Sequence, residues 1–283
     1  MRLVSAIVVA SLSLAAPIAT AAAADRWFTT SDGVRLHYIE QGRGHPVVLV
    51  PGWTMPAWIW AAQIADFSRR YRVVALDPRS QGDSDIPLGG YEPVRRGRDI
   101  AELIAHVASE PVLLVGWSLG ALDSLAYLHA DGDRRIAGLV LVDNSVGEEP
   151  PPPLSRMPAR ASRHLSRAAM MRAFVGGMFR RPQSVGYLQR LTEECLRTPE
   201  YAASALLAYP VPRSYWKEAV YSTERPVLYL VTPRLAGQAA NLRSHHPTAE
   251  AVVLQGVGHA MFVDDPGRFD ALLADFMRRR VWP

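Results

Sequence analysis

The sequence predicts an α/β fold: a mostly parallel eight-stranded sheet flanked by helices, with a helical cap inserted after the sixth strand. Three observations predict it. Short apolar runs alternate with helical patterns along most of the 283 residues, the rhythm of βα units. That rhythm breaks once, between Gly147 and about Thr223, where proline-rich and then purely helical text intervenes. Finally, "LLVGWSLGALDSLAYL" sets Ser118 between Gly116 and Gly120 where a buried strand gives way to a helix.

Taken in order, "RWFTT" and "RLHYIEQG" read as an antiparallel pair joined at Asp32-Gly33, a turn-forming dipeptide. Residues 45–51, 71–77, 111–116, 136–143, 225–231 and 250–255 are apolar throughout or nearly so, as parallel strands covered on both faces must be. Helices fill the gaps around 59–69, 92–108, 119–130, 234–243 and 266–279. In the second of these, Ile100, Leu103, Ile104 and Val107 recur at helical spacing. Asp264 and Asp265 precede Pro266 and read as N-caps of the last helix. "EEPPPPLSRMP" is too stiff and too poor in N–H donors for a sheet. The helical stretches after it form a cap over 148–223, leaving 25–147 and 224–283 as the core; a lid commonly sits in such an insertion.

Residues 1–24 carry one arginine, an apolar stretch and then small residues. They read as a secretory signal cut near Ala22 to Ala24, which predicts a periplasmic or secreted chain without stable membrane insertion after cleavage. Half of the residues are apolar and a fifth are charged, so global disorder is excluded. The net charge is +4 and Lys217 is the sole lysine. The scattered arginines read as solvated faces and predict no nucleic-acid partner. Cys195 is the only cysteine, so no intramolecular disulfide can form; it reads as a small apolar residue. The adjacent His245 and His246 point apart on regular structure, and no metal site is predicted.

The pattern G-x-S-x-G, after a strand and before a helix, is a nucleophile elbow. Its glycines allow a strained serine with close neighbours on either side, and the helix that follows points its N-terminus at the reaction centre. Together with "VVLVPGWTMPAWIW", "VVALDPRSQGDSD", "GLVLVDNS" and "GVGHAMFVDDP", in that order, it makes residues 26–280 resemble the α/β-hydrolase superfamily. The resemblance implies Ser118 as nucleophile and His259, in a glycine-flanked loop after the last strand, as general base. Oxyanion donors would be the amides of Leu119 and Trp53, although Pro51-Gly52 stands where family members often carry His-Gly. Asp77, Arg79 and Ser84 are implied to brace the catalytic loops.

The triad acid departs from the usual pattern. Most relatives place it after the penultimate strand, yet "PVLYLVTPRLAGQAANLRSHHPTA" holds no Asp or Glu. A second location known in the superfamily, after the strand that follows the nucleophile helix, holds Asp143. Glu148, Glu149 or a two-residue dyad are the alternatives. Trp117, Trp58 and Met261 are assigned to an apolar substrate pocket beside Trp53, with Met170, Met171, Phe174 and Met178 lining it from the cap or packing the cap onto the core. The leading reading is a secreted serine hydrolase of small-molecule carboxylic esters that needs no metal or organic cofactor. A cofactor-free haloperoxidase or perhydrolase, or a lactonase, would use the same residues. Epoxide hydrolases and haloalkane dehalogenases usually carry an aspartate nucleophile, against which Ser118 argues. A non-catalytic binding protein on this scaffold is the alternative of another class.

Overall fold

The computed structural model describes residues 22–152, 165–208 and 210–283. The predicted signal lies almost wholly outside the described residues, as does the second half of the proline-rich hinge. Eight strands form one sheet: β1 (Ala24–Thr29), β2 (Arg35–Gln41), β3 (Pro46–Val50), β4 (Arg72–Leu76), β5 (Val112–Trp117), β6 (Ile136–Val142), β7 (Val227–Val231) and β8 (Ala249–Val253). Their order is β1-β2-β4-β3-β5-β6-β7-β8. β2 pairs antiparallel with β1 and β4, and every other pairing is parallel.

Alternation along the strands divides the core into two layers. In β3, Val48 and Val50 join the layer beneath one face of the sheet, while Val47 and Leu49 join the other. The first layer is covered by α2 (Pro93–Val107), α3 (Leu119–Asp131), α7 (Arg213–Tyr221) and α8 (Ala236–His245). The second is covered by α1 (Ala61–Phe67) and α10 (Pro266–Phe276), with the short α9 (Met261–Asp264) between sheet and α10. Ile100, Leu103, Ile104 and Val107 of α2 are all buried, as their spacing predicts.

The inserted segment contributes α4 (Arg167–Gly177), α5 (Val185–Arg197) and α6 (Glu200–Leu206) to a cap. α7, the last helix of the insertion, packs on α3. Its Trp216, Ala219 and Val220 are buried in the layer that also holds α3. Strand order reverses between β3 and β5: the chain leaves β3 for β4 on one side and returns to β5 on the other. Such a reversal opens a crevice at the carboxyl ends of the two strands, where ligands bind in open α/β sheets.

Buried polar bonds tie elements together within each layer. Arg79 is fully buried and bonds Asp99 at 2.6 and 2.7 Å; a buried guanidinium left unpaired would be strongly destabilising. Arg96 of α2 bonds Asp123 of α3 at 2.9 Å and the Leu206 carbonyl of the cap at 2.8 Å. On the opposite layer, Gln63 of α1 donates to the Phe262 carbonyl in α9 at 3.1 Å and to Asp270 Oδ1 in α10 at 2.9 Å. The second residue of the Asp264-Asp265 pair sits at the N-cap of α10, but its side chain makes no capping bond; it pairs with Arg181 at 2.7 Å.

Burial pushes the Asp270 carboxyl up to about 6, against the smaller opposing effect of the Gln63 hydrogen bond. The folded chain therefore keeps a proton that the unfolded chain releases, and stability falls as pH rises from about 4 to about 6. Gln63 Oε1 is buried without a partner, and an asparagine at 270 can offer it an N–H. Asp270→Asn is expected to raise unfolding free energy by about 2 kcal/mol at neutral pH relative to the wild type, and by little at pH about 4. Denaturant titrations of both proteins across this range check it; a difference that does not change with pH would contradict it.

Candidate active site

Ser118 follows the last residue of β5 and stands at the head of α3 with φ 53° and ψ −118°, a backbone conformation that costs a non-glycine residue about 1–3 kcal/mol. The surrounding contacts hold it there. A Cβ on Gly120 would lie 2.4 Å from the Val50 carbonyl oxygen, and one on Gly116 would lie 2.3 Å from the Gly120 carbonyl oxygen. Only glycine allows the first turn of α3 to lie this close to the end of β3. Ser118 N–H donates to the Val142 carbonyl at 2.9 Å, and Asn144 Nδ2 donates to the Ser118 carbonyl at 2.8 Å.

Three side chains meet at the crevice. His259 Nε2 lies 2.8 Å from Ser118 Oγ, and His259 Nδ1 lies 2.8 Å from Asp143 Oδ2. Asp143 directly follows β6, is buried, and has φ 47°. Its second oxygen, Oδ1, accepts from the Thr232 backbone N–H and the Thr232 hydroxyl, each at 2.8 Å. Thr232 thus occupies the position after β7 where an acid is lacking, and fixes the carboxylate that reaches across from β6. Burial alone would raise the Asp143 pKa; the hydrogen bond and charge of His259, with the two Thr232 donors, outweigh it and hold the carboxyl below its ordinary value. Glu148 is engaged elsewhere, with the Tyr221 hydroxyl at 2.7 Å and Lys217 Nζ at 3.2 Å.

Ser118 and His259 open onto a cavity of about 520 Å³ whose walls include Trp53, Leu119, Met170, Phe174 and Leu207, a volume typical of small-molecule sites. Leu119 is the first residue of α3, where helix geometry leaves the N–H without an internal partner. Among the described residues neither the Leu119 nor the Trp53 backbone N–H is engaged in another hydrogen bond. The Trp53 indole N–H donates to the Ala203 carbonyl of α6 at 2.7 Å, and its ring meets Phe174 edge-on at 5.1 Å. The cap therefore grips the same loop that borders the serine.

Trp117, Trp58 and Met261 do not line this cavity, which corrects the pocket assigned from sequence. Trp117 precedes Ser118 on a strand, so its side chain leaves on the opposite face. It is buried against Phe262, with its N–H bonded to the His259 carbonyl at 2.9 Å. Met261 is fully buried in that layer. Trp58 faces Tyr187 and lies under the Arg190 guanidinium. Met170, Met171 and Phe174 do border the cavity, while Met178 is buried in the core.

Side chains of the flanking landmarks brace the catalytic loops. Gln81 accepts from Thr54 N–H at 2.7 Å and donates to the Gly52 and Met55 carbonyls at 3.1 Å each, holding the Trp53 loop from three sides. Asp264 accepts from Gly258 N–H at 2.6 Å and from the backbone N–H groups of Arg180 and Arg181 at 2.8 and 3.1 Å. It clamps the His259 loop to the cap, not the end of α10. Asp77 braces as read: it takes Ala57 N–H, Asp83 N–H and the His37 ring. Thr54, Ser80, Ser118 and Asp143, the non-glycine residues with positive φ among those described, all lie at this site or in the loop that braces it.

Elsewhere, His37, Asp77 and Asp83 bring possible ligand atoms within 4.8 Å of one another. Those atoms already serve: His37 Nδ1 and Asp77 are bonded at 2.6 Å, and Asp83 pairs with Arg197 at 2.8 Å. Burial pushes the Cys195 thiol up to about 12, which makes it inert as a nucleophile.

The alpha/beta hydrolase family model matches residues 47–272. An esterase from Rhodococcus sp. ECU1013, RhEst1, superposes with a TM-score of 0.74 at 27% identity, over 90% of this chain and 99% of its own. A soluble epoxide hydrolase from Corynebacterium sp. (strain C12) is 31% identical over 105 residues, 37% of this chain and 36% of that protein. A non-heme haloperoxidase from Rhodococcus erythropolis is 32% identical over 115 residues, 40% and 42% respectively. The chain thus matches about two-fifths of the length of these curated relatives, and most of the RhEst1 structure. With the family model running from β3 into α10 over the strands and helices that carry Ser118, Asp143 and His259, the chain belongs to the alpha/beta hydrolase family.

Proposed function

We propose that the chain is a serine hydrolase of carboxylic esters, on the strength of one observation: the unbroken hydrogen-bonded line Ser118–His259–Asp143. Asp143 accepts from His259 Nδ1–H, which leaves Nε2 as the acceptor facing the serine hydroxyl. Ser118 Oγ attacks the ester carbonyl carbon while His259 Nε2 takes the hydroxyl proton. The backbone N–H groups of Leu119 and Trp53 receive the charge that develops on the carbonyl oxygen, where one such donor contributes about 3–4 kcal/mol. The C–O bond to the alcohol breaks as His259 returns the proton to the departing oxygen. Water, deprotonated by the same imidazole, then cleaves the acyl-serine and regenerates Ser118.

The esterase likeness of RhEst1 over nearly the whole fold supports this reading. Serine at 118 weighs against the chemistry of the Corynebacterium relative, since epoxide hydrolases of this superfamily usually attack through aspartate. The Rhodococcus haloperoxidase supports a second reading, in which hydrogen peroxide replaces water in clearing the acyl-serine and yields a peracid; a lactone would be opened by the same steps. Export to the periplasm or beyond is part of the proposal and is supported by the apolar, alanine-rich leader of residues 1–24.

A fluorophosphonate probe is expected to label the wild type at Ser118 and leave Ser118→Ala unlabelled; a folded wild-type protein that resists labelling would favour the binding-protein reading. p-Nitrophenyl esters of graded chain length, assayed with and without peroxide and halide, separate esterase from perhydrolase. Asp143→Asn leaves His259 in the wrong tautomer and is expected to lower kcat about 10³–10⁴-fold with the fold intact by circular dichroism. Near-wild-type turnover in that variant would remove Asp143 from the mechanism.

A further inference from the structure

Two cap helices repeat one spacing. In α4, "RAAMMRAF" sets Arg167 and Phe174 seven residues apart with a pair of methionines between them. In α6, "EYAASALL" sets Glu200 and Leu207 equally far apart, with Ala203 and Ser204 between. All of these residues border the cavity that ends at Ser118, so a single stripe of each helix faces it. Each stripe starts on a charged side chain and finishes on a large apolar one.

The charged ends lie together, away from the reaction centre. The Ala260 N–H donates to the carbonyl of Met178, just past the end of α4, at 3.2 Å, so α4 meets the His259 loop with its last turn. Phe174 touches Trp53, and Arg167 stands two turns further back, about 10 Å along the helix axis. Arg167 donates to the Leu196 carbonyl at 3.3 Å and to the Thr198 carbonyl, immediately before α6, which brings the start of α6 to the start of α4. Outward from Ser118 the cavity therefore passes the Trp53–Phe174 contact, then Met170 and Ala203, and reaches Glu200 last.

The two charges are not equivalent. Both terminal nitrogens of Arg167 are spent on carbonyls at the end of α5, a capping role common for arginine. Glu200 forms no hydrogen bond or ion pair among the described residues. The helix dipole favours an acid at the start of α6 whichever way that helix faces; here the stripe places the acid on the cavity wall. The far end of the cavity thus offers an unspent acceptor. We infer that Glu200 selects esters that carry a cationic group, of the quaternary ammonium kind, beyond an apolar arm of about 10 Å. This adds a substrate class to the hydrolase reading above and rests on it. Glu200 is a specificity-determining residue remote from the reacting atoms, and an ion pair on a solvent-facing wall changes affinity by about fivefold at most.

Matched pairs of esters test it. One pair is the p-nitrophenyl ester of ω-trimethylammonio-hexanoate and its neutral isostere, with carbon in place of nitrogen. The other is the acetate of ω-trimethylammonio-hexanol and its isostere, so that the cation sits first on the acyl arm and then on the alcohol arm. In Glu200→Gln, kcat/KM for the ammonium ester relative to its isostere is expected to fall about fivefold in one of the pairs, and further in Glu200→Lys. In the wild type the same ratio is expected to fall as salt is added. A ratio that neither substitution changes in either pair would overturn the inference, as would a loss shared equally by ammonium ester and isostere, which marks a merely structural role. Isothermal titration with hexyltrimethylammonium separates this failure from failure of the hydrolase reading. If no ester is turned over, binding that weakens about fivefold in Glu200→Gln upholds the cation site and refutes the hydrolase alone; binding that is absent, or equal in the two proteins, overturns the cation site as well.

Discussion

The close approach of α3 to the end of β3 at Gly120 is the constraint on which the remaining site geometry depends. A side chain there would collide with the Val50 and Pro51 carbonyl oxygens, and the helix would have to retreat from the sheet. Its position fixes the strained backbone of Ser118, the outward-facing N–H of Leu119 and the distance to the Trp53 loop. Strain of this kind persists only where surrounding bonds over-determine it. Here the strand bond to Val142 and the Asn144 amide on the Ser118 carbonyl do so.

The second half of the site is assembled from distant pieces of chain by buried polar bonds. Asp143 reaches His259 from the end of β6 because Thr232, one strand further on, donates twice to its far oxygen. His259 is held in turn through its loop, which Asp264 binds to the cap, and through its carbonyl, which Trp117 binds from beneath. The cap consequently touches both halves of the machinery: Ala203 through the Trp53 indole, and Arg180 and Arg181 through Asp264. A displacement of the cap would move the Trp53 amide and the His259 ring together, which gives the segment a positioning role beyond that of a cover.

What could be read from sequence follows the range of the forces involved. The strands and core helices are written in local periodicity, and Ser118 is marked by glycines that only a sharp elbow requires. Asp143 is legible because the position after β7 offers no acid. Gln81, Thr232 and Asp264 were not legible: their partners lie across different loops, and nothing in their neighbours announces a fold that brings them together. The pocket lining differs from the one expected from sequence for a related reason. Trp117 and Met261 adjoin functional residues in sequence, but adjacency on a strand sends side chains to opposite faces, and Met261 begins a turn of helix that points into the core.

Identification of the covalent intermediate tests the central claim most directly. Rapid quenching of the enzyme with a p-nitrophenyl ester, followed by peptide mass spectrometry, is predicted to show the acyl mass on the peptide that contains Ser118 during an initial burst of p-nitrophenol. Turnover with no acyl adduct, or an adduct on any other residue, would contradict the account.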